Sequence, residues 1–125
     1  MRIYAYKVKN MRDTIKAFKA LSDETRLRVL LVLLEQECCV CEIMQALDIS
    51  QTRASRSLAA LYDAGFLKLK RDGQWSFYSI DNEGMPDYLL DITRAASKAL
   101  VNKETVKLDR ERLKKAERVV LCGTR

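Results

Sequence analysis

Residues 50–69, Ser50-Gln51-Thr52-Arg53-Ala54-Ser55-Arg56-Ser57-Leu58-Ala59-Ala60-Leu61-Tyr62-Asp63-Ala64-Gly65-Phe66-Leu67-Lys68-Leu69, read as an amphipathic helix closed by a glycine. Ala54, Leu58, Leu61 and Tyr62 recur at helical spacing and define an apolar face, leaving Gln51, Thr52, Arg53, Ser55 and Arg56 on the amino-terminal, outward side. Ser50 suits an N-cap and Gly65 the position just past the helix end, and Asp48-Ile49-Ser50 supplies a short turn beforehand. A polar first half reached through a tight turn can enter a major groove. Taken alone, the stretch fits equally well as an ordinary surface helix with a few arginines, so the flanking segments decide.

On the amino-terminal side, residues 11–21 carry Ile15, Phe18 and Leu21 on one face and lysines elsewhere, an amphipathic helix able to cover a core or a dimer seam. Ser22-Asp23-Glu24 offers an N-cap and two acids for the positive end of the next helix, which runs through Leu27, Val29, Leu30, Leu31, Val32, Leu33 and Leu34. So apolar a helix belongs at the centre. Residues 37–47 predict a shorter helix with Val40, Ile43, Met44 and Leu47 inward, and Asp48-Ile49 breaks it ahead of residue 50. Helix, turn and helix thus follow in the order of a helix-turn-helix.

Beyond Gly65 the period changes. Phe66, Leu67 and Leu69, then Trp75, Phe77, Tyr78 and Ile80, are strand formers around a hairpin turn, Arg71-Asp72-Gly73-Gln74. The predicted fold is mainly α with a small β hairpin, an α+β winged helix-turn-helix acting as a dimer. Lys68, Lys70 and Arg71 climb the wing and are expected to project from one edge toward a phosphate backbone. Pro86 starts another helix whose face of Tyr88, Leu89, Ile92, Ala96, Ala99 and Leu100 has little chain left to cover, so it reads as a dimer interface, the alternative being closure over its own core. Residues 109–120 predict a charged helix leading into Val119-Val120-Leu121-Cys122, and the sequence leaves open whether it docks. Residues 1–105 form the expected DNA-binding and dimerisation domain, residues 106–125 a charged C-terminal helix and tail.

At 125 residues the chain is one domain with room for an extra helix and a use for a partner chain. With 48% hydrophobic and 32% charged residues it reads as a soluble globular protein, and its single proline argues against disordered linkers. Residues 1–9 lack the apolar region of a secretory signal and no run is long enough to span a membrane, so the expected compartment is the cytoplasm. A net charge of +6 suits a polyanion such as double-stranded DNA. Four cysteines, three of them at Cys38, Cys39 and Cys41, point in a reducing compartment to metal binding or redox chemistry and away from structural disulfides. The absence of histidine removes imidazole ligands and every Cys-His or Ser-His catalytic pair.

These residues resemble the ArsR/SmtB family of metal-responsive repressors. The resemblance rests on Ala20-Leu21-Ser22-Asp23-Glu24-Thr25-Arg26-Leu27, on Glu37-Cys38-Cys39-Val40-Cys41-Glu42-Ile43, on Ser50-Gln51 through Ala64-Gly65-Phe66-Leu67, and on Gly73-Gln74-Trp75-Ser76-Phe77-Tyr78, in register over residues 18–80. It implies homodimers that bind an imperfect inverted repeat and leave it when an inducer binds. The arsenic-sensing members carry a Glu-Leu-Cys-Val-Cys-Asp-Leu motif that falls on Cys39 and Cys41, implying As(III) or Sb(III) as inducer and no permanently bound cofactor. Two departures stand out: many arsenic sensors have a third cysteine where this chain has Met44, and the zinc-sensing members use aspartate and histidines on the helix after the wing, where this chain has no histidine.

Thiolate is the ligand for soft ions, independent of any family. On an ideal helix Cys38 and Cys41 share a side while Cys39 and Cys41 do not, so joint use of Cys39 and Cys41 predicts a non-helical or distorted first turn. For the third ligand, proximity favours Cys38 over the distant Cys122, while the divergence of adjacent Cys38 and Cys39 side chains and the apolar Val119-Val120-Leu121 lead-in keep Cys122 as the alternative. Two other readings stay open: a redox or persulfide sensor using Cys38, Cys39, Cys41 or Cys122, and a thiol oxidoreductase built on the Cys38-x-x-Cys41 spacing. The second lacks the βαβ context that motif needs, and the expectation is a non-enzyme.

Overall fold

The computed structural model describes residues 11–118. Six helices and one hairpin follow in the order α1 (Met11–Leu21), α2 (Glu24–Leu33), α3 (Val40–Leu47), α4 (Gln51–Asp63), β1 (Leu67–Asp72), β2 (Trp75–Ile80), α5 (Asp87–Leu100) and α6 (Glu104–Lys115). Because α2 is apolar nearly all round, it is surrounded: Val29, Leu30, Val32 and Leu33 meet Ile43, Ala46 and Leu47 of α3, Ala54, Leu58 and Leu61 of α4, and Phe66, Leu67 and Ile80 beside the wing. Its N-cap is Asp23, whose carboxylate accepts from the Arg26 N–H at 3.0 Å, and the Ser22 hydroxyl instead donates back to the Phe18 carbonyl at 2.8 Å. A cap expected over three residues thus divides between two helix ends.

The turn into α4 forms because Asp48 adopts a left-handed conformation (φ 57°), which short polar side chains tolerate. Ser50 then caps α4 through its hydroxyl, accepting from the Arg53 N–H at 3.2 Å. At the far end Gly65 (φ 98°) donates to the Tyr62 carbonyl and Phe66 to the Leu61 carbonyl, both at 3.1 Å, the paired bonds of a left-handed helix stop. The chain turns directly into β1, paired antiparallel with β2 in the register Leu67↔Ile80 to Asp72↔Trp75. The loop is only Gly73-Gln74, so Arg71 and Asp72 belong to the strand.

Several expectations shift. The helix predicted from residue 37 starts at Val40, because residues 37–39 run extended and Cys38 bridges Tyr78 in β2. The last helix lies at Glu104–Lys115, earlier than 109–120, and it packs on α2 and α3 with Val106, Asp109 and Leu113 buried. In α1 the small residues Ala17 and Ala20 face the core, while Ile15 and Phe18 are 44% and 54% exposed. Alanine allows α1 to approach α2 and α4 closely, and that turns the bulky face outward. Tyr62 also lies outside, 45% exposed, rather than on the buried face of α4. Along α5, Leu89 and Thr93 are buried, Ile92, Ala96 and Leu100 are half-covered, and Ala99 is exposed. Among the described residues no helix is long and apolar enough to cross a membrane.

Candidate functional site

Two surfaces carry chemistry. The first is the outward half of α4. With Ala54, Ser57, Leu58 and Leu61 buried against the core, Thr52, Arg53 and Arg56 are exposed, and Gln51 and Ser55 lie half-buried at the rim. Arg53 is not simply pointed at solvent. Its guanidinium donates to the hydroxyl of Thr25, buried in the first turn of α2, at 2.5 Å. The cap of α4 and the start of α2 are thereby fastened through one of the residues expected to read bases.

On the wing, Lys68 and Lys70 emerge on the face that carries Phe77 and Trp75, since directly paired residues share a face. Arg71, one step along, lies on the other face with Tyr78, so the three cations do not share a side. Lys70 lies 3.8 Å from Glu37, but both are well exposed and such pairs contribute little. Both lysines therefore keep their charge available to a polyanion.

The second surface is built on the cysteines. Cys39 is the N-cap of α3 in an extended conformation (φ −89°, ψ 171°), so its side chain leaves the backbone outside the helical repeat, while the first turn itself closes with the Glu42 and Ile43 N–H groups on the Cys39 carbonyl at 3.1 and 3.3 Å. That geometry brings together two side chains that a regular helix would separate: the Cys39 and Cys41 sulfurs lie 2.7 Å apart. Both are buried with Phe77 of β2, and Trp75 packs alongside. Cys38, one residue earlier in extended chain, points the opposite way and joins the main core. Its backbone is fixed by bonds to Tyr78, N–H to carbonyl at 3.0 Å and the reverse at 2.8 Å. The shared side expected for Cys38 and Cys41 does not occur, because Cys38 is not in the helix. Met44 packs against the main core as well. Cys122 lies outside the described residues.

Burial pushes the Cys39 thiol up to about 12, reinforced by its hydrogen bond with Cys41. The Cys38 thiol is raised by burial in the same direction. Cys39 and Cys38 therefore hold their protons at neutral pH, so Cys39 is a stored thiol rather than a reactive thiolate.

The rest of the site was hidden from sequence reasoning. The Cys39 N–H donates to the Glu42 carboxylate at 2.9 Å, the reciprocal half of a capping box, which the Cys39-x-x-Glu42 spacing could have signalled. Glu42 is buried, and its other oxygen accepts from Arg118 Nε at 3.1 Å. That guanidinium sits 4.4 Å from the centre of the Phe77 ring. Gln45 and Glu117 bond reciprocally, Gln45 Nε2 to the Glu117 carbonyl at 2.7 Å and the Glu117 N–H to Gln45 Oε1 at 3.0 Å. The Cys41 thiol faces the same Glu117 carbonyl at 3.9 Å. Nothing in local sequence announces contacts between residues so far apart.

At the opposite end of α3, Arg112 Nε donates to the Ala46 carbonyl at 2.8 Å and Arg28 Nη2 to the Leu47 carbonyl at 3.2 Å, with Asp109 between the two guanidiniums. From α6 through Arg118 the chain therefore runs antiparallel to α3 and grips both of its ends. Among the described residues, no three of the Cys, Asp and Glu side chains cluster to hold an ion; the thiol pair alone is a two-donor site.

Comparison with known proteins places this arrangement. The sequence profile described as "Bacterial regulatory protein, arsR family" matches residues 23–68, the span from the cap of α2 to the start of β1 in the wing. The chain is 42% identical over 87 residues to the arsenic resistance transcriptional regulator ArsR1 of Pseudomonas putida, covering 66% of this chain and 68% of that protein. It is 46% identical over 67 residues to the arsenical resistance operon repressor of Escherichia coli, covering 53% of this chain and 57% of that protein. The fold matches the homodimeric winged helix-turn-helix DNA-binding domain Mb0332 of Mycobacterium bovis with a TM-score of 0.62 at 21% identity, covering 83% of this chain and 91% of that one. Thiol pair, recognition helix and wing thus stand on one framework, and the chain belongs to the arsR family of bacterial transcriptional regulators.

Proposed function

We propose that this chain is a homodimeric repressor that holds an imperfect inverted repeat in double-stranded DNA and releases it when arsenite or antimonite binds Cys39 and Cys41. The observation that carries the reading is the buried 2.7 Å dithiol at the N-cap of α3, the helix that ends in the turn to α4. Sulfur donors without histidine suit a soft, thiophilic ion. The relatives named for arsenic resistance agree with that chemistry. On the DNA side, Ser50, Gln51, Thr52, Arg53, Ser55 and Arg56 are the residues assigned to the groove, and Lys68, Lys70 and Arg71 to the backbone. Pairing of chains fits the outward Met11, Ile15 and Phe18 of α1 and the half-covered face of α5.

Coupling follows from position. An eight-residue helix is about 12 Å long, so the thiols sit one short rigid rod from the turn that aims α4. When Cys39 and Cys41 rearrange around a ligand, the N-cap of α3 and the Phe77 side of the wing must adjust together, which changes the spacing of the DNA-reading parts in a dimer. The redox reading is the weaker one, since thiolate is the form that oxidises and burial holds Cys39 protonated.

The test is DNA binding by anisotropy on a duplex selected by the protein from a random pool, titrated with arsenite, antimonite, cadmium, zinc and a mild oxidant. Arsenite and antimonite should release the parent protein, and Cys39→Ser and Cys41→Ser should bind DNA without responding. Release by the oxidant but not by arsenite would overturn the reading.

A further inference from the structure

A buried carboxylate stands beside the sulfur pair, and both of its oxygens are engaged. Oε1 of Glu42 accepts from the Cys39 N–H at 2.9 Å, the side-chain half of the capping box. Oε2 accepts from Arg118 Nε at 3.1 Å, with Gln36 Nε2 3.5 Å from the same oxygen. Arg118 is itself positioned by its neighbours: its guanidinium lies 4.4 Å from the centre of the Phe77 ring, and the preceding residue, Glu117, is bonded through its carbonyl and its N–H to Gln45. Because Phe77 packs with Cys39 and Cys41, a cation held over that ring lies at the edge of the dithiol. The two ends of the ion pair differ in exposure, 5% for the Glu42 side chain and 43% for that of Arg118. Truncating Arg118 would therefore disturb little packing while leaving a buried carboxylate without its counter-charge.

That arrangement bears on which ligand the thiols accept. A divalent cation such as cadmium or zinc gains from a carboxylate added to two thiolates, and negative charge attracts it. Arsenous acid and its antimony counterpart are uncharged and call for sulfur. We propose that Arg118 is a specificity-determining residue: by binding Glu42 it withdraws the carboxylate next to Cys39 from the sulfur pair and sets a positive charge at the edge of the pair, so that a neutral metalloid hydroxide is accepted and divalent cations are disfavoured. This rests on the reading of Cys39 and Cys41 as the inducer-binding pair, and it deepens that reading. It also accounts for the lack of a three-donor ion site among the described residues, since the nearest acid already has a partner. Released from Arg118, the same carboxylate is free to turn toward an ion held by the two sulfurs.

The exchange with arsenite balances without an oxidant. For each As–S bond formed one As–O bond breaks, the thiol proton leaves with the hydroxyl group as water, and arsenic stays trivalent. A divalent cation instead displaces two thiol protons to solvent, and its charge must be accommodated beside the Arg118 guanidinium.

Calorimetric titrations of the full-length protein with arsenite and with cadmium chloride test this. Arg118→Ala should bind cadmium on the order of 10-fold more tightly than the parent, the scale on which groups around the ligands tune a metal site, with arsenite affinity within about threefold. Glu42→Gln keeps an acceptor for the Cys39 N–H, and combined with Arg118→Ala it should abolish the cadmium gain while arsenite still binds. A cadmium-to-arsenite affinity ratio in Arg118→Ala equal to that of the parent would overturn the proposal. So would a parallel loss of both ligands, which would show that Arg118 only props the site. A gain that survives in the double variant would remove Glu42 from the mechanism and refute it. Cys39→Ser and Cys41→Ser separate this from the underlying reading: if they retain the parent's arsenite affinity, the inducer pair itself fails and the proposal falls with it, whereas an unchanged ratio in Arg118→Ala beside lost arsenite binding in both serine variants refutes the role of Arg118 alone.

Discussion

The Arg28 guanidinium meets the buried Asp109 carboxylate with two parallel bonds, Nε to Oδ2 at 2.8 Å and Nη2 to Oδ1 at 2.7 Å, joining α2 to α6 across most of the chain. Arg112 adds a third bond to the same carboxylate at 3.0 Å. Removing the acid would leave two neighbouring cations without their shared counter-charge, held only by the Leu47 and Ala46 carbonyls. Asp109→Ala should therefore lower stability by about 3–5 kcal/mol. Urea denaturation measures it, and a loss below about 1 kcal/mol would mean the cluster behaves as an exposed pair.

Groove and wing residues should separate by the kind of binding they support. Arg56→Ala should cost about 1–3 kcal/mol on the selected duplex and little on random DNA. Thr25→Val should reproduce part of the Arg53→Ala defect, because the Thr25 hydroxyl orients that guanidinium. Lys68→Ala and Lys70→Ala should weaken all sequences alike and each flatten the log-log salt slope by about 1. Arg71→Ala should do less, as Arg71 lies on the other face of the wing. Equal slopes for all three single variants would contradict that division.

Stability should fall on the alkaline side. The folded protein holds Cys39 up near 12 against an ordinary 9.0, so between those values the native state binds more protons than the unfolded chain. This contribution is complete below about pH 9 and is lost as pH rises toward 12. Cys38, raised likewise, acts in the same direction. Urea midpoints from pH 7 to 10.5 should be level and then decline, with a shallower decline in Cys39→Ala. An unchanged slope in that variant would remove Cys39 as a contributor.

The raised Cys39 thiol also distinguishes inducers. A neutral thiol and arsenous acid exchange to give water, with no net change in free protons, whereas a divalent cation must expel the thiol protons. Calorimetric titration in two buffers of different ionisation enthalpy should give the same heat for arsenite and different heats for cadmium. Proton uptake on arsenite binding would show that the thiols are already ionised.

Gly65→Ala should destabilise by about 1–2 kcal/mol, since the left-handed backbone there disfavours a side chain. An added Cβ would also press on Leu89 Cδ1 at 3.2 Å, where α5 crosses the end of α4. A thermal midpoint equal to that of the parent would show that the Leu89 side chain yields and the turn tolerates the strain.

Local sequence was enough for the helix-turn-helix and the wing. The Ser50 cap, the Gly65 stop and the alternation around Gly73-Gln74 are short-range signals, and the structure realises each within a residue or two. The resemblance named Cys39 and Cys41 together, and in the structure their sulfurs meet because Cys39 is an extended N-cap just outside the helix. What failed were statements that depend on distant chain. Cys38 left the helix because its backbone pairs with Tyr78, and the outward turn of Phe18 follows from alanines that let α1 pack close. The burial of Asp109, the Glu117 carbonyl over Cys41 and the hold of Thr25 on Arg53 join residues 28 to 81 positions apart. No period or cap records such contacts, because they exist only once the core has fixed which helices meet. Sequence by itself determined the elements and the donor chemistry; tertiary packing decided which sulfurs face each other and which segment of chain lies over them.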